Sequence, residues 1–397
     1  MRLVVAALAM ACAATAAVPA SAQEGSPATR EALIAAQQAE KAARLSPERP
    51  TRAEQHVVRY VSGSTFFGGQ LRGFYPWVGS VFGGAGAGFG GGYMQHLPQG
   101  SSLNATGGVS DNGSWFGQAL ALAPPLADGR VALSGLFRIT DVNDVNFFGL
   151  GPDTSKADRQ GYDYRPIEFG GTATVKPVRW LPVAGSLSRQ WISTGGALTA
   201  AVPPPAPGFD TDLTYDVFEL SAAIDTRPSA AYSTHGTHLA TRYARYQEAG
   251  ERPFSFDRWE YEASQLVPLV REQYVLAFRG LLMTTATGGA DEVPYMLSPY
   301  VGSGSTLRGF RNRRFTDRQA MVVTAEYRWR PSRYLDLALF VDSGQVASSV
   351  RGLARDRFET AWGVGARFHG PAFTAFRVEL ARSPEGFRMV WASSQPF

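Results

Sequence analysis

In one stretch of this chain after another, every second side chain is apolar, and that period of two limits what it can fold into. Across residues 321–329, Met321, Val323, Ala325, Tyr327 and Trp329 make one face, and Val322, Thr324, Glu326 and Arg328 make the other. Residues 334–344 repeat the pattern, with Leu335, Leu337, Leu339 and Val341 against Asp336, Ala338, Phe340, Asp342 and Gly344. In residues 361–368, Trp362, Val364, Ala366 and Phe368 oppose Gly363, Gly365 and Arg367. In residues 373–381, Thr374, Phe376, Val378 and Leu380 oppose Arg377 and Glu379. Such alternation predicts half-buried strands. Beyond the first residues no run approaches the ~20 consecutive apolar residues of a membrane-spanning helix, which excludes a helical membrane protein. A hydrophobic content of 44% excludes a disordered one.

Alternation alone does not say what wets the apolar face. Tyr327, Trp329, Trp362 and Phe368 lie near strand ends, as aromatics do at membrane interfaces. The opposite faces mix Arg and Glu with Gly, which suits a wet lumen. Lipid requires every backbone polar group to be bonded within the protein, so a sheet that meets hydrocarbon has to close on itself. Residues 73–397, at about 20 per strand with its connection, predict about 16 strands. The expected fold is all-β: a transmembrane antiparallel β-barrel of about 16 strands. Short connections such as 330–333 would be periplasmic turns, and long ones such as 201–212 would face outward.

The start of the chain differs. Met1 and Arg2 precede an apolar run over 3–18, and Ala20-Ser21-Ala22 supplies a small-x-small cleavage signal before Gln23. Residues 1–22 therefore read as a secretory signal peptide. Cys12, the only cysteine, falls inside it, so the mature chain has no thiol chemistry. Residues 23–72 read as a short helical or linker segment, with apolar positions at helical spacing in 30–45 and a stop at Ser46-Pro47. The net charge of +4 is scattered rather than gathered in a basic stripe, which argues against a nucleic-acid partner.

The longest loop, 291–320, carries glycines, aromatics and a basic cluster of Arg308, Arg311, Arg313 and Arg314. Loops this long in compact folds are usually functional or disordered, and this composition points to an ordered one. Its segment Gly302-Ser303-Gly304-Ser305-Thr306-Leu307-Arg308-Gly309-Phe310 resembles the signature of the BamA/TamA-like outer-membrane superfamily, the bacterial surface antigen family. Ala325-Glu326-Tyr327-Arg328-Trp329 and Phe340-Val341-Asp342-Ser343-Gly344 are similar to the family's next two strands, in order. Phe147 to Thr154 and Ile224 to Pro228 look like family turns, so the resemblance covers roughly 73–397.

The resemblance implies a loop folded back into the lumen, with Arg308 paired to acids on the inner wall. Glu326 and Asp342 both fall on the predicted inward face, where charge-assisted bonds to Arg308 would form. Gly309 would allow a close backbone approach, and Phe310 would pack against the wall. Leu307 and Gly344 complete the expected latch, and the terminal aromatic Phe397 reads as the C-terminal barrel signal. The family's assembly and secretion members carry periplasmic polypeptide-transport domains. Residues 23–72 hold one helix, so a member without those domains is expected, which leaves room for a periplasmic partner.

Other constellations carry little. Gly86-Ala87-Gly88-Phe89-Gly90-Gly91 matches a dinucleotide fingerprint but lacks strand–turn–helix context and a following acid. His235 and His238 have no acidic or Cys companion for a metal. No Gly-x-Ser-x-Gly elbow or His-Glu-x-x-His occurs. The expectation is a non-enzyme without cofactor or metal, in the outer membrane of a Gram-negative bacterium. It would contact outer-membrane lipid and move or insert a polypeptide or lipid client. A passive outer-membrane pore is the alternative, and an outer-membrane hydrolase comes third.

Overall fold

The computed structural model describes residues 72–196, 206–270, 272–353, 357–370, 374–392 and 394–397. The expected leader and the helical segment before Arg72 lie outside them, as do residues 201–205 of the predicted outer loop. Four short strands come first: β1 (Gly73–Gly79), β2 (Gly88–His96), β3 (Ser102–Ser110) and β4 (Trp115–Leu122). Three long ones follow: β5 (Val131–Phe147), β6 (Gln160–Val178) and β7 (Leu181–Gly195). Next are β8 (Leu213–Asp225), β9 (Gly236–Glu248), β10 (Phe256–Leu269) and β11 (Tyr274–Ala286). A loop containing the two-residue strands β12 (Tyr300–Val301) and β13 (Phe315–Thr316) leads to β14 (Gln319–Ser332). The chain then forms β15 (Leu335–Ala347), β16 (Glu359–His369), β17 (Thr374–Ser383) and β18 (Gly386–Ala392).

Sixteen of these strands make one antiparallel sheet in sequence order, with β14 following β11, while β12 and β13 pair separately. The sheet is a barrel whose ladder begins at β1 and ends at β18, with no β18–β1 pairing among the described residues. The longest strand, β6, has 19 residues, nearly twice the ~9–11 that cross a bilayer. The tall wall around it therefore stands well clear of the hydrocarbon.

Register shows how alternation becomes two solvents. Tyr327, Leu339, Val364, Leu380 and Met389 lie side by side across β14 to β18. Leu339 is 56% exposed and Met389 67%, so nothing in the protein covers this row. One residue along, Glu326, Phe340, Gly363, Ala381 and Arg388 form the row behind it. There Glu326, Phe340 and Ala381 are buried. A one-residue slip would exchange the rows, so the buried acids fix the register. Trp329, Trp362 and Phe368 are exposed on the outer face, where the aromatic pattern puts them.

Three details differ from the sequence reading. Thr374 is buried rather than outward, because the register shifts by one residue between Phe368 and His369. The long loop runs over 287–318, since β11 and β14 each reach farther than the alternation suggests. The last strand stops at Ala392, so residues 394–397 leave the ladder that the terminal pattern would have continued.

The barrel is filled at the end where the long loops emerge. Val293, Tyr295, Met296 and Leu297 from the loop pack with Val145, Phe147, Tyr162, Ile192, Tyr215 and Phe256 on the inner wall. The Tyr295 ring meets Phe147 and Tyr162 at centroid distances of 5.1 and 5.0 Å. This is an apolar core inside a cylinder, built by the loop that enters it.

Candidate functional site

The site forms where the 287–318 loop reaches β14 to β17. On that wall the inward rows carry small residues at Ala338, Ala361, Gly363 and Ala381, which leave a hollow beside the acids. Arg308 fills it and is fully buried. Its Nε and Nη2 donate to the two oxygens of Asp342 at 2.7 and 2.8 Å, a bidentate fork. Its Nη1 donates to Glu326 at 2.7 Å and to Glu379 at 3.0 Å. Its backbone N–H also donates to Asp342, and the guanidinium carbon lies 3.4 Å from the centre of the Phe340 ring. Thr324 Oγ1 donates to Asp342 at 3.0 Å.

The acids serve other arginines too. Glu326 accepts from Arg328 at 2.9 Å and from Arg367 at 2.8 Å, and Arg367 also donates to Glu379 at 2.9 Å. Arg377 pairs with Glu379 as well. Four arginines thus share three carboxylates in a site that excludes water. Burial on its own would disfavour the Arg308 charge. Glu326, then Asp342 and Glu379, outweigh it and hold its pKa above the usual guanidinium value.

The neighbours of Arg308 fix the loop's path. A Cβ on Gly309 would lie 2.7 Å from Ala361 Cβ and 3.0 Å from Ser383 Cβ, so only glycine permits this approach. The Gly309 carbonyl accepts from Ser383 Oγ at 2.9 Å. Leu307 and Phe310 are buried with Val301, Phe315, Val322 and Val346. Gly344 faces Leu307 on the adjoining strand, where an added Cβ would stand 3.1 Å from Leu307 Cδ1. Farther along, Arg314 donates to Glu385 at 2.5 Å and to the Thr154 carbonyl at 2.7 Å, and Arg313 donates to the Tyr295 carbonyl at 3.0 Å. Asn312 Nδ2 donates to the Gly83 carbonyl, which ties the loop to the turn between β1 and β2.

The structure brings together Leu307, Arg308, Gly309, Phe310, Glu326, Asp342 and Gly344. The sequence reading did not assign Glu379, Arg328, Arg367, Arg377 or Phe340 to the site. All five lie on inward positions of the same alternation, so the face was legible and only the cross-strand register was missing. Phe397 is elsewhere. Its ring lies within the barrel beside Leu266, Val275 and Ala277, not on the last strand. His235 sits in the β8–β9 connection and His238 on β9, and the described residues contain no metal-binding cluster of His, Cys, Asp and Glu.

Residues 209–385 match the Omp85 superfamily domain, a stretch that includes Arg308 and all three of its acids. The barrel is similar to the crystal structure of BamA from Haemophilus ducreyi lacking POTRA domains 1–3. There the TM-score is 0.62 at 15% identity, over 80% of this chain and 69% of that one. It is also similar to CdiB from Escherichia coli, with a TM-score of 0.55 at 11% identity over 80% of this chain. This chain spans 61% of the length of that CdiB. At these identities the likeness is one of fold, a 16-stranded β-barrel, and within that barrel residues 209–385 carry the Omp85 superfamily domain.

Proposed function

We propose that this barrel inserts or translocates a polypeptide or lipid client at the outer membrane, with Arg308 latching the lumen loop. The observation that carries the reading is the Omp85 match over 209–385, which spans the loop, its arginine and its acids. Among the described residues no strand pairs the outer edges of β1 and β18, and such edges offer a seam through which a client could reach lipid, since an open edge is a template for another strand. The latch holds the loop against β14, β15 and β17, on the side of the barrel that ends in the β18 edge of that seam. Outer-membrane lipid and a periplasmic partner complete the proposed surroundings, and no catalytic group or cofactor is needed.

A passive pore calls for an open water path, whereas the loop-end core of this barrel is packed with aromatic and aliphatic side chains. The two readings separate in one experiment. The protein is reconstituted in liposomes, an unfolded outer-membrane β-barrel precursor is added, and its protease-protected folding is timed. Ion conductance is recorded in the same membranes. Faster folding of the precursor than in empty liposomes, with low resting conductance, is expected. No acceleration together with steady conductance would replace the proposal by the pore.

A further inference from the structure

At the barrel end opposite the 287–318 loop, some connections are as tight as a sheet allows: residues 179–180 join β6 to β7, and 333–334 join β14 to β15. The β8–β9 connection, 226–235, emerges at the same end and is much longer. Its root is a closed hairpin. The Thr226 N–H donates to the Thr237 carbonyl at 2.9 Å, and the Thr237 N–H donates to Thr226 Oγ1 at 2.9 Å. Arg227 forks onto the two oxygens of Asp225 at 2.9 and 3.0 Å. The tip is bonded to itself, with the Ser229 N–H donating to Ser233 Oγ at 3.0 Å and the Ala231 N–H to Ser229 Oγ at 3.1 Å.

The tip docks far from its own strands. Tyr232 is buried, and its ring stacks on His369 with centroids 3.8 Å apart and planes 13° from parallel. Its hydroxyl donates to Asp336 Oδ1 at 3.3 Å. The Ala231 carbonyl accepts from the Thr374 N–H at 3.1 Å and from the Thr374 hydroxyl at 3.2 Å. Asp336, His369 and Thr374 are buried residues of β15, β16 and β17, and β10, β11 and β14 lie between β9 and β15 in the ladder. The connection therefore crosses beneath the lumen to the facing wall. The groups that receive it are themselves held: His369 Nε2 lies 3.0 Å from Asp336 Oδ1, and Nδ1 lies 3.0 Å from the Gly370 carbonyl. On the way across, Thr234 Oγ1 donates to Glu272 at 2.9 Å.

Ordering so long a connection costs conformational entropy that a two-residue turn would not, so its contacts have to offset that cost. Root and tip keep their own bonds whether or not the tip is docked. Release asks only that the Tyr232 stack and a few hydrogen bonds part. We propose that 226–235 is a strap that closes the lumen at this end, the one whose short turns are expected to face the periplasm. Tyr232 is its catch, and Asp336 and His369 are the keeper. Because the loop core fills the other end, entry to the lumen goes by way of the strap.

The test reads that entry with a thiol. Ser221 lines the lumen cavity above the strap together with His238 and Glu262. Cys12 is the chain's only cysteine, so Cys12→Ala with Ser221→Cys leaves one thiol, which fluorescein maleimide labels in the detergent-solubilised barrel. Labelling should be slow with the strap intact. Adding Tyr232→Ala should speed it at least about tenfold, since reaction no longer waits for a minor open state. Should that variant fail to give a heat-modifiable barrel, His369→Gln keeps a donor beside Asp336 and removes the ring under the tyrosine, and the same acceleration is expected. A thiol placed instead at Ile192, buried in the loop-end core, should stay unreactive throughout, which separates an opened strap from a loosened barrel. Fast labelling at 221 with the strap intact, no acceleration in either folded variant, or equal acceleration at 192 would overturn the proposal. The measurement needs no client, so its outcome is separate from that of the folding assay.

Discussion

Two stretches of the inner wall use the same alphabet and end in opposite physics. On β8 to β10, Arg242 stands 3.5 Å from Glu219 and 3.7 Å from Glu260, with the arginine side chain 53% exposed. Arg242 and Glu260 face a cavity of about 280 Å³ lined also by His238 and Glu262. On β14 to β17, Arg308, Glu326, Asp342 and Glu379 are essentially without exposure. Both walls alternate, and both point Arg and Glu inward. The difference is a cover: the loop lies on the second wall and shuts water out, and among the described residues the first has none. Exposed pairs contribute ~0–1 kcal/mol. Buried ones need every partner present, because a charge stranded in the dry is expensive.

The contrast can be broken by experiment. The largest effect is expected from Glu326→Ala, which takes a partner from Arg308, Arg328 and Arg367 at once. We predict a loss of ~3–5 kcal/mol, read as a lower urea midpoint in micelles and loss of the heat-resistant band on gels. An unchanged midpoint would mean that the second wall is as wet as the first. Arg308→Lys keeps the charge but not the fork onto Asp342, and should cost about 1.5–3 kcal/mol. The same midpoint reports it, and a lysine as good as arginine would remove the argument from geometry. Gly309→Ala pushes a methyl onto Ala361 and Ser383. An overpacking cost of ~1–3 kcal/mol is expected, with faster protease cleavage in the loop as a second sign. Arg242→Ala on the wet wall should change the midpoint by no more than ~1 kcal/mol, and less in high salt. A loss there as large as that of Glu326→Ala would erase the distinction.

Much of this was legible in the chain, for identifiable reasons. Period two settles that Glu326 and Asp342 face in, and the family resemblance of the loop implied Arg308 as their partner. Which inward residue sits beside which depends on hairpin register, and that is set by turns and bulges the pattern does not encode. Glu379 is the example: it lies 71 residues from Arg308 and meets it only because β17 pairs with β16 in one particular register. Phe376 and Thr374 show the same limit on a smaller scale, since one bulge turns Thr374 inward. The tail defeated the pattern altogether. A terminal aromatic after an alternating segment reads as one more strand, and nothing local signals that Phe397 finds better company across the lumen.

The three acids of Arg308 reside on three separate strands, β14, β15 and β17, so no single hairpin supplies all of them. Until β17 arrives, a guanidinium set against the other two would hold an incomplete shell, and hydration remains its better companion. Seating the cationic finger and pairing β14 to β17 therefore favour one another, and neither is complete without the other. Its seating doubles as a sign of completion, set only when the closing third of the sheet has found its order.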